Sequence, residues 1–271
     1  MLGVYFRTEP EAASTDNLHF EKADLTDADT VSKLIKEYEP ETIVNSAGWV
    51  DVDGCESDKL RAEESNFRIV KNIVDTIQSA NIYLIQISTD YIFDGRDHPG
   101  RINDRPAPLN YYGHTKLQAE EYIKNNFSYY MIARTCALLG NPRLGRTNLI
   151  NYFYDKLGGN QEVMAPDDLY ANPIWVDNLA EMILESVQKK IRGINHLGGA
   201  DYLSRYEFAR ILAEVFGFDG ELVRPLSASS QNRPARRPQY AGLDISTTVP
   251  QFETKFLPVR EALTQIRNLS I

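Results

Sequence analysis

The segment Ile82-Tyr83-Leu84-Ile85-Gln86-Ile87 is almost unbroken in apolar character and runs directly into Ser88-Thr89-Asp90. A half-exposed strand alternates apolar with polar residues, so a run this continuous predicts a strand covered on both faces, the habit of parallel sheets. Some two dozen residues later stands Tyr112-Gly113-His114-Thr115-Lys116. Helical spacing puts the phenol and the ammonium on one face. A cation so placed favours phenolate and lowers a tyrosine pKa that otherwise lies near ~10. A hydroxyl at a strand's carboxyl end, followed by Tyr-x-x-x-Lys at a helix start, is equipment for reducing a carbonyl with a nicotinamide cofactor. Hydride arrives at the carbonyl carbon, Tyr112 gives the oxygen its proton, and the Thr89 hydroxyl holds that oxygen.

Tyr-x-x-x-Lys alone is a weak signal, and the chain carries it twice. Tyr152-Phe153-Tyr154-Asp155-Lys156 repeats it, but no strand ending in Ser or Thr precedes that copy at a suitable distance. Ile150, Phe153 and Leu157 around it read as ordinary helix packing, so Tyr152 is expected to play no part in the chemistry. Tyr111 is excluded because Thr115, not a lysine, stands four residues on.

The rest of the chain alternates strand and helix. Residues 3–6, 41–45 and 130–134 read as strands. A helix opens at residues 26–29 with Val31, Leu34, Ile35 and Tyr38 on one face. A longer one capped by Ser57 carries Val70, Ile73, Val74 and Ile77 at i, i+3, i+4, i+7 spacing. This pattern predicts an α/β fold: a doubly wound, Rossmann-type parallel sheet with ligands beyond the strands' carboxyl ends. There lie Arg7, residues 45–48 and residues 88–90. After Gly140 the rhythm loosens into helices over residues 148–157 and 176–188, a capping box at Ser204-Arg205-Tyr206-Glu207, and a last helix from residue 258. The segment Arg233-Pro234-Ala235-Arg236-Arg237-Pro238 suits either solvated charge or a diphosphate. The division expected is a nucleotide-binding part, residues 1–140 with 170–195, and a smaller substrate lobe, residues 141–169 with 196–271.

Composition narrows the partners. A net charge of −9 argues against nucleic acid as the main one. No apolar run approaches the roughly 20 residues of a membrane span, and the first residues do not read as a signal peptide. Cys55 and Cys136 lack metal-like spacing, and Cys136 reads as a small core residue. A reducing cytoplasm is the simplest setting. His19, His98, His114 and His196 are scattered, which argues against a metal cluster.

With these residues in hand the chain resembles the extended short-chain dehydrogenase/reductases. Within them it is similar to the dTDP-4-dehydrorhamnose reductases and their non-catalytic relative, the regulatory β subunit of methionine adenosyltransferase. The blocks at residues 88–95 and 108–116 carry the resemblance. Phe6-Arg7, Asp24-Leu25, Asn45-Ser46-Ala47-Gly48, Val52-Asp53 with Glu56-Ser57, Asn172-Pro173 and Ala235–Pro238 support it.

The resemblance implies a catalytic set of Thr89, Tyr112 and Lys116, with Lys116 also holding the nicotinamide ribose. It implies Arg7 at the adenosine 2′-phosphate, favouring NADPH while admitting NADH. Asp24 and Leu25 would flank the adenine, and Ser46, Ala47 and Gly48 would line the cofactor. Asp90, Asn172, Arg236 and Arg237 would face a nucleotide-sugar substrate. The competing readings are an ordinary surface arginine for Arg7 and a turn residue for Asp24. A homodimer is compatible with the family.

The chain departs from the family at its start. A strand, a Gly-x-x-Gly-x-x-Gly turn and a helix holding the diphosphate are expected first. Here Met1 stands where the second strand begins, and roughly 25–30 residues are missing by comparison with that unit. A late start codon is the favoured explanation. The lost strand is central in the sheet, so strand edges and an apolar groove should stand open. The leading expectation is an NADPH-dependent reductase of a nucleotide-activated 4-keto-sugar. The rival is a regulatory subunit that uses the fold to dock a partner enzyme.

Overall fold

The computed structural model describes residues 1–7, 17–140, 149–227 and 233–269. Its centre is a four-stranded, all-parallel sheet in the order β10-β5-β4-β3, with β3 at Thr42–Asn45, β4 at Tyr83–Thr89, β5 at Tyr130–Thr135 and β10 at Gly193–Leu197. The fold is therefore the expected Rossmann-type α/β arrangement.

Side-chain alternation along β4 explains why the strand is apolar at nearly every position. Leu84 points to one face, where it joins Val31 of α1 (Ala28–Tyr38), Val70, Ile73 and Ile77 of α4 (Ile69–Ile77) and Ile123 of α5 (Tyr111–Asn126). Tyr83 and Ile85 point to the other, against Leu179, Met182 and Ile183 of α7 (Val176–Lys189). Met131 and Ala133 of β5 follow the second face and Ile132 the first. A strand with both faces covered leaves no place for a polar side chain unless it is paired. Within the apolar run Gln86 accepts from Asn45 Nδ2 at 2.7 Å, and Ser88 and Thr89 close the strand paired with Glu120 and Asp90.

Two further strands, β1 (Leu2–Tyr5) and β2 (His19–Lys22), pair in parallel as a sheet of their own. They do not hydrogen-bond to β3, and Val4 and Val44 are 38% and 44% exposed.

The helix predicted to start at Ser57 is divided. Ser57 closes α2 (Val52–Ser57), its hydroxyl donating to the Asp53 carbonyl, and Asp58 caps α3 (Lys59–Glu63). A π turn over Glu64–Arg68 then leads into α4. Asp is the stronger cap here because its carboxylate meets the Arg61 N–H at 3.1 Å.

A second body of packing gathers beyond β5. It holds β6 (Leu138–Leu139), α6 (Leu149–Gly158), β7 (Val163–Pro166), β8 (Tyr170–Ala171), β9 (Ile174–Trp175), β11 (Leu203–Ser204), α8 (Arg205–Phe216), β12 (Val223–Leu226) and α9 (Val259–Leu269). Its core is Ile150, Phe153, Phe208, Leu212, Val223 and Leu263. The predicted start of α6 at residue 148 lies outside the described residues. The capping box is present as read: Ser204 Oγ accepts from the Glu207 N–H at 3.1 Å, and Glu207 accepts from the Ser204 N–H at 2.7 Å. Cys136 is a buried core thiol.

Candidate active site

The site forms where β4 ends and α5 begins. Asn110 caps α5, its side chain accepting from the Gly113 N–H at 2.9 Å and donating to the Arg236 carbonyl at 2.9 Å. Gly113 lets the helix start touch the chain after β4, since a Cβ there would stand 2.1 Å from the Tyr91 carbonyl oxygen. That close approach brings Tyr112 over the strand end. Its hydroxyl is directed at the Thr89 side chain, and its ring meets Tyr91 edge to face with centroids 6.2 Å apart. Thr89, Tyr112 and Lys116 thus all face the carboxyl end of β4.

The electrostatics differ from the expected pattern. Burial foremost, with the charges of Asp90, Cys55 and Tyr91, holds the Tyr112 phenol above its ordinary value, and the Thr89 hydrogen bond only partly opposes this. The Lys116 ammonium does not act on the phenol here. It is turned to the backbone, donating to the Ile87 carbonyl at 2.7 Å. Burial lowers Lys116 to about 8, against the charge of Glu120. Desolvation dominates both groups because the helix start is packed against the strand.

Thr89 Oγ1 accepts from the Tyr91 N–H and donates to Asp90 Oδ1, both at 3.1 Å. The other Asp90 oxygen accepts from the Gly242 N–H at 2.8 Å. Burial pushes the Asp90 carboxyl up to about 6, with the Gly242 and Thr89 bonds opposing. Gly242, at φ 98°, supplies a left-handed backbone that presents its N–H to Asp90.

Other residues from the sequence reading are placed less uniformly. Asn172 is buried and fully engaged: it donates to the Gly199 and Leu243 carbonyls and accepts from the Leu243 N–H at 2.9 Å. It clasps two loops and leaves no polar atom for the cleft. Arg237 lines the cleft but forks onto Asp53, with both contacts at 3.0 Å, while Arg236 is exposed. Asp24 accepts from the Thr26 N–H at 2.9 Å and hydroxyl at 2.7 Å, a turn leading into α1. Leu25 packs on the α1/α4 cluster. Arg7 is exposed, its guanidinium 5.6 Å from the Phe6 ring centre. Ser46 and Gly48 are exposed and Ala47 half-buried, so the chain after β3 offers a small-residue surface. That surface, with the Lys116 amine and the Tyr112 phenol nearby in the fold, fits the nicotinamide end of a dinucleotide. Among the described residues no glycine-rich strand–turn–helix offers its diphosphate a helix N-terminus.

Sequence reasoning passed over three features. Asn66, in the π turn, accepts from the Trp49 N–H at 2.7 Å and donates to the Trp49 carbonyl at 3.1 Å and to Thr115 Oγ1 at 3.2 Å, tying the loop after β3 to α5. Glu120, Arg134 and His196 form a buried polar chain beneath the site. Arg205 lines the cleft from the first turn of α8. A lone Asn or Glu on a helix carries no sequence signal of its partner; Arg205 was visible only as part of the capping box.

The parallel sheet and the residues at its carboxyl end define a Rossmann-type α/β protein of reductase-like build. The sequence pattern of the RmlD substrate binding domain matches residues 4–270, and the chain belongs to that family. It is 28% identical over 250 residues to the probable low-salt glycan biosynthesis reductase Agl14 of Haloferax volcanii, covering 91% of this chain and 82% of that protein. It is 29% identical over 233 residues to the methionine adenosyltransferase 2 subunit beta of Pongo abelii, covering 84% and 70%. Among solved structures, a dTDP-4-dehydrorhamnose reductase from Clostridium acetobutylicum superposes with a TM-score of 0.85 at 28% identity, over 94% of this chain and 91% of that one. The Bacillus anthracis dTDP-4-dehydrorhamnose reductase in complex with NADP gives 0.86 at 23%, over 93% and 90%, a likeness of fold.

Proposed function

We propose that the chain is an NADPH-dependent reductase of a nucleotide-activated 4-keto-sugar. The observation that carries this reading is the Tyr112 hydroxyl turned toward the Thr89 hydroxyl at the end of the central strand. A bound reduced nicotinamide supplies the hydride. The chain supplies the proton and the placement. Burial keeps Tyr112 protonated, so the phenol serves as the acid for the developing alkoxide. Thr89 turns its hydroxyl from Asp90 to the substrate oxygen. Lys116, with one N–H on the Ile87 carbonyl, keeps two donors for the nicotinamide ribose and for Tyr112. Ser46, Ala47 and Gly48 allow close approach of the cofactor, Asp24 and Leu25 take the adenine end, and Asp90 steadies Thr89. Arg7, exposed and without a carboxylate partner among the described residues, suits the 2′-phosphate of NADPH, with NADH the weaker cofactor.

The experiment is loss of NADPH absorbance with a panel of dTDP-, UDP- and GDP-linked 4-keto-sugars, repeated with NADH. Turnover of one of them supports the reading; turnover of none defeats it.

A second reading, a non-catalytic regulatory subunit, is favoured by the identity to the methionine adenosyltransferase 2 subunit beta and by the turn of Lys116 toward the backbone. It predicts no turnover and co-purification of a partner enzyme.

A further inference from the structure

The chemistry proposed for Tyr112 leaves Asp53 and Glu56 of α2 unused. Helical spacing puts these two carboxylates, three residues apart, on one face. Each meets a different element. Glu56 Oε2 accepts from the Tyr111 N–H at 2.9 Å, one of the amides that the start of α5 leaves without a helical partner. A carboxylate there also suits the positive end of the helix. Asp53 turns to residues 233–238, a strap across the cleft. Its Oδ1 accepts from the Ala235 N–H at 3.0 Å, and the Arg237 guanidinium forks onto both oxygens at 3.0 Å. Arg237 also donates to the Ala235 carbonyl at 2.8 Å, closing the turn on itself. Burial acts to raise the Asp53 carboxyl, and its bonds to Arg237 and Ala235 outweigh burial and hold it below its ordinary value.

Asn110 completes the link from the strap side. Its Nδ2 donates to the Arg236 carbonyl and its Oδ1 accepts from the Gly113 N–H, both at 2.9 Å, and the residue is buried. Tyr112 therefore lies between two pinned amides, Tyr111 held by α2 and Gly113 held by the side chain that also holds Arg236. Beyond the strap, the Gln239 carbonyl accepts from the Tyr170 N–H in β8, and the Tyr240 N–H donates to the Gly95 carbonyl, both at 2.9 Å. The segment thus runs from the smaller lobe to the start of the helix that carries Tyr112. Arg237 and Tyr152 line the cavity of about 580 Å³ beside Tyr91, whereas Asp53, Glu56 and Asn110 stand outside its lining. These three act on the site through the elements they hold.

We infer that Asp53, Glu56 and Asn110 are positioning residues that couple the strap to the first turn of α5, so that Tyr112 is set at the end of β4 while the strap is closed on α2. The inference rests on the reductase reading only for the role of Tyr112 as the acid.

Amide hydrogen exchange on the full chain tests the coupling. Asp53 has no hydrogen bond to α5 among the described residues, yet Asp53→Asn should speed exchange at Tyr111 and Gly113 by roughly three- to tenfold. Glu56 has none to the strap, yet Glu56→Ala should speed exchange at Ala235 to a similar degree, because coupling is reciprocal. The amides of Ile85 and Ile132 in the central sheet report global unfolding and should stay as in wild type. Arg237→Lys, which keeps a cation for Asp53, should retain most of the protection at Gly113 that Arg237→Gln loses. Arg224→Gln breaks an exposed pair with Glu162 and should move none of these amides. If Glu56→Ala folds poorly, Asp53→Asn and the two Arg237 variants still decide. Faster exchange confined to each variant's own partner would overturn the inference, leaving two independent clasps. Where a keto-sugar is turned over, Asp53→Asn should lower kcat by roughly tenfold and shift KM less, the mark of a misplaced acid. Unchanged kcat beside coupled exchange would overturn the positioning role. No turnover by wild type would sink the reductase reading and leave the exchange result to decide the coupling.

Discussion

The Arg134 guanidinium on β5 forks onto the Glu120 carboxylate on α5, with Nη2 2.8 Å from Oε2 and Nε 3.1 and 3.2 Å from the two oxygens. Both side chains are almost wholly buried, at 2% and 0% exposure. Ser88 Oγ donates to the same carboxylate at 2.5 Å, and Arg134 Nη1 stands 3.3 Å from His196 Nε2. The chain of contacts fastens the helix that carries Tyr112 and Lys116 to β4, β5 and β10. Every side-chain nitrogen and oxygen in it has at least one hydrogen-bond partner, which a buried ion pair needs to repay its desolvation.

Removing one member should therefore cost more than the pair contributes. Glu120→Ala leaves Arg134 buried and uncompensated, and is expected to lower unfolding free energy by roughly 3–5 kcal/mol. The double variant Glu120→Leu with Arg134→Met should recover much of that loss. Urea unfolding of the three proteins measures both. A single variant no worse than the double would show that the pair is not coupled.

Stability should fall on mild acidification, and His196 should be one cause. Burial, then the charge of Arg134, lowers His196 from 6.5 to about 4. The unfolded chain takes up this proton as pH falls below the ordinary value, while the folded chain resists it. The contribution is present above 6.5 and is lost as pH falls toward 4. Asp90 acts in the opposite sense: raised from 3.8 to about 6, it favours the folded state at low pH and loses that effect as pH rises through the interval. The comparison that isolates His196 is wild type against His196→Gln, by urea unfolding at pH 7 and pH 5. Wild type should lose on the order of 2 kcal/mol more than the variant between pH 7 and pH 5. Parallel slopes would count against the assignment.

The central sheet and the start of α5 were legible because they rest on local signals. The run at residues 82–87 demanded two covered faces, and α1, α4 and α7 supply them. Lys116 was the less legible residue. Spacing placed it beside Tyr112, but spacing carries no information on whether its amine meets a phenol or the Ile87 carbonyl. Ser57 and Asp58 were equally able to cap a helix in sequence; only the turn geometry chose between them. Arg205 and Arg237 differ by the presence of Asp53, a residue far off in the chain. Such pairings are set by tertiary packing, which one sequence does not display.

The loop after β3 should depend on Asn66. Asn66→Leu removes the partners of the Trp49 N–H and carbonyl and the bond to Thr115. Leaving these groups unpaired should cost roughly 1–3 kcal/mol. It should also speed amide exchange at Trp49 and redshift its fluorescence. Unchanged exchange at Trp49 would mean that the loop is held by something else.

Tyr112→Phe should abolish reduction of the keto-sugar while leaving NADPH affinity nearly intact. The substitution removes the proton donor but keeps the ring and its edge-to-face contact with Tyr91, so ground-state contacts survive and the loss falls on kcat. A drop of roughly 10²–10⁴ is the scale for losing a positioned acid. Lys116→Met should damage both terms, because the amine is assigned to the ribose and also anchors α5 to the Ile87 carbonyl. Tyr152→Phe, the second copy of the spacing, keeps the ring that lines the cavity and should change kcat little. Steady-state kinetics with NADPH titrations on the three variants separates these outcomes. If Tyr152→Phe were the inactive protein and Tyr112→Phe the active one, the chemistry would belong to α6 and not to the end of β4.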